Sequence, residues 1–433
     1  MRNFLRGISV ALLMLIPVVS RADTHTAASC SQADVTAAIS AASDGDIVVV
    51  PAGNCTWRST LIIEKGIWLQ GSGNNTPKES ATFPLTIISN QDPAIRLVCD
   101  TNMSLFRVTG FRFQGGNGQA YIEIVGRGTG KKGLGVFRID NNYFDHISGA
   151  YNIWNRSTDG PLYGLIDNNT FHDSGTDVYT ISFWEFYQPA PSTCWGKDSW
   201  DRPFTWGSAG FNFVEDNLFD QPTVYQRHYV EHEMGGRSVI RHNIFNAQVA
   251  GSPDYIDGHG DCLSNTNGRG VRGGEIYANT FQGTNSSVGR NINLRGGQWL
   301  VYDNTFTTKG WAASPIQFTE YRASPDCSGC YSTSRCSPDP PACVTNSPSY
   351  YPLRDQIQGT YAWNNTMGGV HQDPYVDSGG YLSFYIQANR DYWSSASKPA
   401  ALSTYTPFPY PHPLRAGPSA PSSLRIVNSE LLT

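Results

Sequence analysis

The chain has 433 residues, of which 39% are hydrophobic and 15% charged, with 43 Gly, 26 Pro and a formal net charge of −5. That balance gives no general case for nucleic-acid binding, which rests on a basic surface, and fits a turn-dense β protein better than a helical one. The length would hold two or three ordinary domains, a limit that repeat proteins escape.

Residues 1–22 read as a secretory signal. Arg2 and Arg6 precede an apolar run over 8–19, and Ser20 and Ala22 are small residues suited to cleavage after Ala22. The run is too short to span a membrane comfortably. No later segment suits a bilayer, so the expectation is an exported protein, extracellular or periplasmic, without membrane insertion. An alanine-rich stretch at 31–43 predicts a short amphipathic helix, and Ile47-Val48-Val49 between Gly45 and Gly53 predicts a buried strand. A helix feeding the first strand would cover the open end of a stacked β structure. Further short strands are expected at 61–63, 67–69, 85–88 and 106–108.

From residue 136 to 306 one phrase recurs six times: a hydrophobic strand, then Asn, any residue, then Phe, with the Asn at 142, 169, 217, 243, 279 and 304. A weaker copy ends at Asn365-Thr366-Met367. The separations of 27, 48, 26, 36 and 25 residues suit one β coil plus insertions. Three residues before each Asn stands a β-branched residue (Ile139, Ile166, Val214, Ile240, Ile276, Val301), as a buried strand column requires. The fold expected is a single parallel β-helix with an internal Phe stack, and with each Asn at a turn where it can adopt left-handed geometry.

Two excursions interrupt the repeats: an aromatic loop at 186–207 with Trp195, Trp200 and Trp206, and a Cys/Pro-rich insertion at 323–360. The β-helix thus spans 23–395, and the Pro-rich stretch 396–433 reads as a tail or linker. Nine Cys in an exported chain suggest disulfides. Cys30 and Cys55 form a natural pair. Cys327, Cys330, Cys336 and Cys343 make either two local bridges or a zinc knot. Cys99, Cys194 and Cys262 are left over, an odd number.

Residues 37–56, with Gly45-Asp46-Ile47-Val48-Val49-Val50-Pro51-Ala52-Gly53, resemble the N-terminal cap and first coil of the pectate-lyase-like superfamily, and the Asn-Thr-Phe coils resemble its secreted bacterial right-handed β-helix members. The resemblance covers roughly 30–395 and implies the right-handed fold. It leaves activity open, because that superfamily includes lyases, hydrolases, epimerases, adhesins and tailspikes.

The chemistry points to residues 227–322, which hold eight Arg, a single Lys and four of the nine His. Positions two before each Asn face outward, so Glu215, Arg241 and Tyr277 should stack on one strip about 4.8 Å apart. The strand His228-Tyr229-Val230-Glu231-His232-Glu233 brings imidazoles and carboxylates to an adjacent face. In a uronate glycan, β-elimination needs the substrate carboxylate neutralised and a base for the C5 proton. Arg241 and Arg272 are the expected clamps, His259 or His232 the base and Tyr277 the proton donor. Arg237, Arg295, His228, Glu215, Trp195 and Trp206 are expected to bind substrate. Asp254, Asp257 and Asp261 could be the carboxylates of a glycoside hydrolase or ligands for Ca²⁺, which the resembled lyases often use. The aromatic loop could instead serve a non-catalytic carbohydrate-binding or adhesive protein. The reading favoured is a monomeric polysaccharide lyase acting on an anionic polysaccharide.

Overall fold

The computed structural model describes residues 22–73, 85–89, 93–100, 102–115, 120–126, 136–145, 147, 150–173, 179–185, 194–222, 228–250, 254–260, 268–319, 351–352, 355–376 and 385–416. Residues 1–21 of the expected signal segment, Asp261, Cys262 and, of the Cys/Pro-rich insertion, residues 323–350 and 353–354 lie outside them. Among the described residues the chain winds through three parallel sheets of twelve, ten and eleven strands. Each coil contributes one strand to each sheet, which makes the molecule a parallel β-helix. A two-residue antiparallel pairing, Thr366–Met367 with Val370–His371, ends the eleven-stranded sheet.

The interior follows from the repeat. Ile139, Ile166, Val214, Ile240, Ile276 and Val301 are all fully buried in the core. Phe113, Phe144, Phe171, Phe219, Phe245, Phe281 and Phe306 form a continuous file, with centroids 4.7–5.2 Å apart. The repeated Asn forms a second file. In each coil its Nδ2 donates to the Oδ1 of the next Asn, as from Asn217 to Asn243 (3.1 Å) and from Asn243 to Asn279 (3.0 Å). The Asn itself does not take the left-handed conformation. The residue before it does: Asn141, Asn168, Asp216, His242, Ala278, Asp303 and Asn364 have φ between 48° and 57°. That corner turns the amide inward, where buried donors and acceptors must be paired.

At the N-terminal end the predicted helix is Gln32–Ala41, capped by Ser31, whose Oγ accepts from the Asp34 N–H at 3.2 Å. Val35 and Ile39 enter the same core as the first coils. The Cys30–Cys55 disulfide fastens the cap to the first coil. Cys194 is also disulfide-bonded, and Cys99 is a buried free thiol. No helix among the described residues is long and apolar enough to cross a membrane.

Residues 396–416 do not trail away as a linker. They pack along the twelve-stranded sheet, where Tyr405, Phe408 and Leu414 join a cluster with Phe213, Tyr277, Tyr302 and Trp363. A Pro-rich strand lacks many N–H groups, so its carbonyls are available to donors on a neighbouring surface. The sheet supplies such donors as Arg.

Candidate active site

Glu215, Arg241 and Tyr277 do stack in register on the twelve-stranded sheet, and Tyr302 and Trp363 continue the column. They line no groove. Arg241 is fully buried, its Nε 2.7 Å from Glu215 Oε2, its Nη1 donating to Tyr277 Oη and Phe408 O, and its Nη2 donating to Pro409 O. Glu215 also accepts from the His412 N–H at 3.0 Å and pairs with Arg415 at 2.8 Å. Burial, partly offset by Arg241, pushes the Tyr277 hydroxyl up to about 12. The strip expected to hold substrate is the seat of the C-terminal segment.

Arg237 and Arg272 serve the aromatic excursion in the same way. Arg237 donates to Ser199 Oγ (2.9 Å) and to the carbonyls of Pro203 and Arg202 (2.8 and 3.2 Å). Arg272 lies between the rings of Trp200 and Phe204, 4.7 and 4.2 Å from their centroids, and donates to Gln298 Oε1 at 2.7 Å. Burial and the neighbouring Arg237 lower its pKa to about 9. The Trp195 backbone forms a β-bridge with Gly268, and the Trp206 ring packs edge-on against Phe204 and joins the cluster of Phe213 and Tyr277, so both residues help to hold the excursion on the coils.

The ten-stranded sheet is different. Tyr229 and Val230 both enter the core, and alternation resumes from Val230, so Glu231 and Glu233 point outward while His232 points inward. His232 packs edge-on to Trp299 at 5.6 Å, and its Nε2 meets Ser238 Oγ at 2.6 Å. Burial lowers its pKa to about 4, so it is a neutral interior ring and is withdrawn as a base. Gly258 beside it supplies room: a Cβ there would meet the Trp299 ring at 2.9 Å.

Outward columns now bring the remaining residues together. His228, Asp254 and Arg290 are in register, as are Ser182, Glu231, Asp257 and Asn293. Asp257 sits at the centre. Arg295 reaches it through Nε (3.0 Å) and Nη2, His259 Nε2 at 3.2 Å and His228 Nε2 at 3.7 Å. Burial alone would raise the Asp257 pKa, but Arg295, His259 and His228 together hold it well below the usual carboxylate range. Asp254 pairs with Arg290 (3.2 Å) and accepts from Asn293 Nδ2 (3.0 Å), and burial pushes its pKa up to about 7.

Glu231 accepts from Ser182 Oγ and from Trp184 Nε1 through one oxygen, Oε2. Its Oε1, and Oε2 of Glu233, have no hydrogen-bond partner among the described residues. Burial raises Glu231 to about 7, and burial plus the adjacent Glu231 raises Glu233 well above its ordinary value. Ligand atoms of Glu231, Glu233 and His259 lie within 4.8 Å of one another, and His259 Nδ1 is 3.4 Å from Glu233 Oε1. The Glu231–Glu233 pair is a fair seat for a hard divalent cation, which takes carboxylate oxygens and completes its shell with water or substrate, so that the imidazole is not needed as a ligand. Asp257 is not such a seat, because its oxygens already face an Arg and two His. Alternation counted from Val230 would have exposed Glu231 and Glu233 in the sequence. The double entry of Tyr229 and Val230 hid that register.

No protein-family model matches the chain, and no curated protein matches it. Similar solved structures include a PL6 family alginate lyase, 14% identical over 87% of this chain and 53% of that one, with a TM-score of 0.37. A PL6 family polysaccharide lyase from Pseudopedobacter saltans is 13% identical, over 89% and 95% of the two chains, with a TM-score of 0.45. An alginate lyase from Paenibacillus sp. is 13% identical over 66% and 96%, with a TM-score of 0.35. The chain spans about half the length of the first of these.

Proposed function

We propose that the protein is a secreted polysaccharide lyase that cleaves a uronate-containing glycan by β-elimination, with its centre at His228, Glu231, Glu233, Asp257, His259 and Arg295. The observation that carries this reading is the Glu231–Glu233 pair, two buried carboxylates on the outward face of one strand, each with an oxygen that has no hydrogen-bond partner among the described residues. Burying two like charges without a counterion is costly, and a shared proton or a bound cation offsets that cost. A Ca²⁺ ion held there would draw charge from the substrate carboxylate and make the C5 proton removable.

The chain's own groups supply the rest. Asp257 orients the His259 ring through Nε2 and stabilises the imidazolium that forms. With Nε2 turned to Asp257, Nδ1 is the nitrogen that takes the C5 proton. The C4–O bond then breaks as the C4–C5 double bond forms, and His228, on the same carboxylate, supplies the proton for the departing oxygen. Arg295 keeps Asp257 ionised and adds positive charge beside the developing carbanion.

One observation favours a glycoside hydrolase as a second reading: Asp254 near 7 and Asp257 far lower form a pair of carboxyls driven apart by their surroundings. Incubation of the purified protein with a panel of polyuronates, with Ca²⁺ and after chelation, separates the readings. The lyase produces new ultraviolet absorbance from unsaturated uronate ends, reduced by chelation. New reducing ends without that absorbance support the hydrolase, and binding without either product supports an adhesin.

A further inference from the structure

Just beyond the cluster, toward the C-terminal end of the helix, one aromatic side chain stands out in water. Trp311 is 60% exposed, and the Arg290 guanidinium lies 4.9 Å from its ring centroid. Arg290 is the register partner of Asp254 and is tied to the centre through that carboxylate. Among the described residues, Asp254 is its one acidic partner, met through Nε, so the two terminal nitrogens of its fork remain for a ligand.

The turn that presents Trp311 is firmly fastened. Thr308 O accepts from Asn291 Nδ2 at 2.8 Å, Thr308 Oγ1 bonds to Asn285, and the Gly310 N–H donates to Thr308 Oγ1 at 3.0 Å. Gly310 has φ +69°, and a Cβ there would meet the carbonyl oxygens of Gly289 and Val288 at 2.6 and 2.7 Å. On the far side, Ser314 Oγ donates to Asp373 O at 2.6 Å. An indole presented to solvent by so firmly fastened a turn carries a hydrophobic cost that a stacked ring would remove.

We propose that Trp311 and Arg290 form a binding subsite for one acidic sugar of the substrate chain, the pyranose ring stacking on the indole and its carboxylate engaging the Arg290 fork. An aromatic platform with a planar cation over one face leaves its other face for a sugar that is apolar on its face and anionic at its edge. The subsite rests on the functional reading above for the identity of its ligand. Farther along the same wall, Gln317 pairs with the half-exposed Tyr375, so a bound chain has a surface on which to continue.

The test is calorimetric titration of the full chain with hexasaccharides of alginate and of polygalacturonate, and with a neutral cellohexaose. For the acidic hexasaccharide that binds, Trp311→Ala and Arg290→Ala should each weaken binding about tenfold or more, Trp311→Phe should restore most of the loss, and the neutral oligomer should bind far more weakly to the wild type. Unchanged affinity in Trp311→Ala, with the variant folded by circular dichroism, overturns the subsite. Acidic binding that depends on Trp311 without any unsaturated product upholds the subsite and sinks the lyase. No binding of either acidic hexasaccharide by the wild type overturns both.

Discussion

Two walls of one solenoid carry the same kinds of ion and use them in opposite ways. On the twelve-stranded sheet Arg138 and Arg241 each meet a carboxylate and backbone carbonyls, Arg237 meets a hydroxyl and carbonyls, and Arg241 alone engages Glu215, Tyr277, Phe408 and Pro409. On the ten-stranded sheet acids crowd acids: Glu231 stands beside Glu233, Asp254 beside Asp257, and among the described residues Glu231 Oε1, Glu233 Oε2 and Asp254 Oδ1 accept no hydrogen bond. Satisfied charges fasten segments. Unsatisfied ones store the means to bind a cation or move a proton. Density of Arg and His in the sequence does not separate the two cases, whereas the count of partners per charged group does.

The largest expected effect breaks this contrast at its centre. His259→Ala should lower turnover by about 10²–10⁴-fold, read from the rate of unsaturated product, while the melting temperature stays close to wild type. Arg241→Ala should do the reverse. Removing one member of a buried pair costs about 3–5 kcal/mol, measured by chemical denaturation, with turnover of the folded fraction largely kept. Loss of turnover without loss of stability in Arg241→Ala would restore the Arg strip as a working site.

A pH series sharpens the comparison. Glu231 and Asp254, near 7 when folded, bind a proton more tightly in the native state than in the unfolded chain. Their contribution favours folding fully below the unfolded carboxylate values and fades as pH rises toward 7. Asp257 runs the other way, and its contribution is lost only in strong acid. Without divalent cations the protein should therefore melt several degrees higher at about pH 5 than at about pH 8, and Glu231→Gln should flatten that slope. The smallest effect concerns the corners. Ala278 holds φ +55°, where other coils place Asn, so Ala278→Asn should stabilise by about 0.5–1 kcal/mol in the same denaturation assay.

The fold was legible because its information is redundant: one Asn and one Phe per coil mark columns that any single mismatch leaves intact. The site was legible only in part. His228, His259, Arg295 and Asp257 could be drawn from the crowded region, but His232 was misjudged because Tyr229 and Val230 both turn inward and shift the parity by one. The fate of Arg241, Arg237 and Arg272 was hidden for another reason. Arg237 and Arg241 are met by carbonyls of Pro203, Phe408 and Pro409, which have no residue-specific signature, and Arg272 is met by rings of an excursion that belongs to no repeat. Trp311 belongs to no repeat, so only its exposure and its neighbour reveal it.

The order in which the molecule can be completed follows from where residues 405–415 lie. Coils can be laid down one upon another as a nascent chain emerges, yet Leu414 O meets Arg138, 276 residues earlier. Until that late stretch leaves the ribosome, Arg138 and Arg241 must wait hydrated on an unfinished flank. A chain cut short before Tyr405 should therefore retain its coils while exposing a seam of ions and rings, in which Arg138 and Arg241 lack their carbonyl partners and Glu215 and Asp216 lack Arg415.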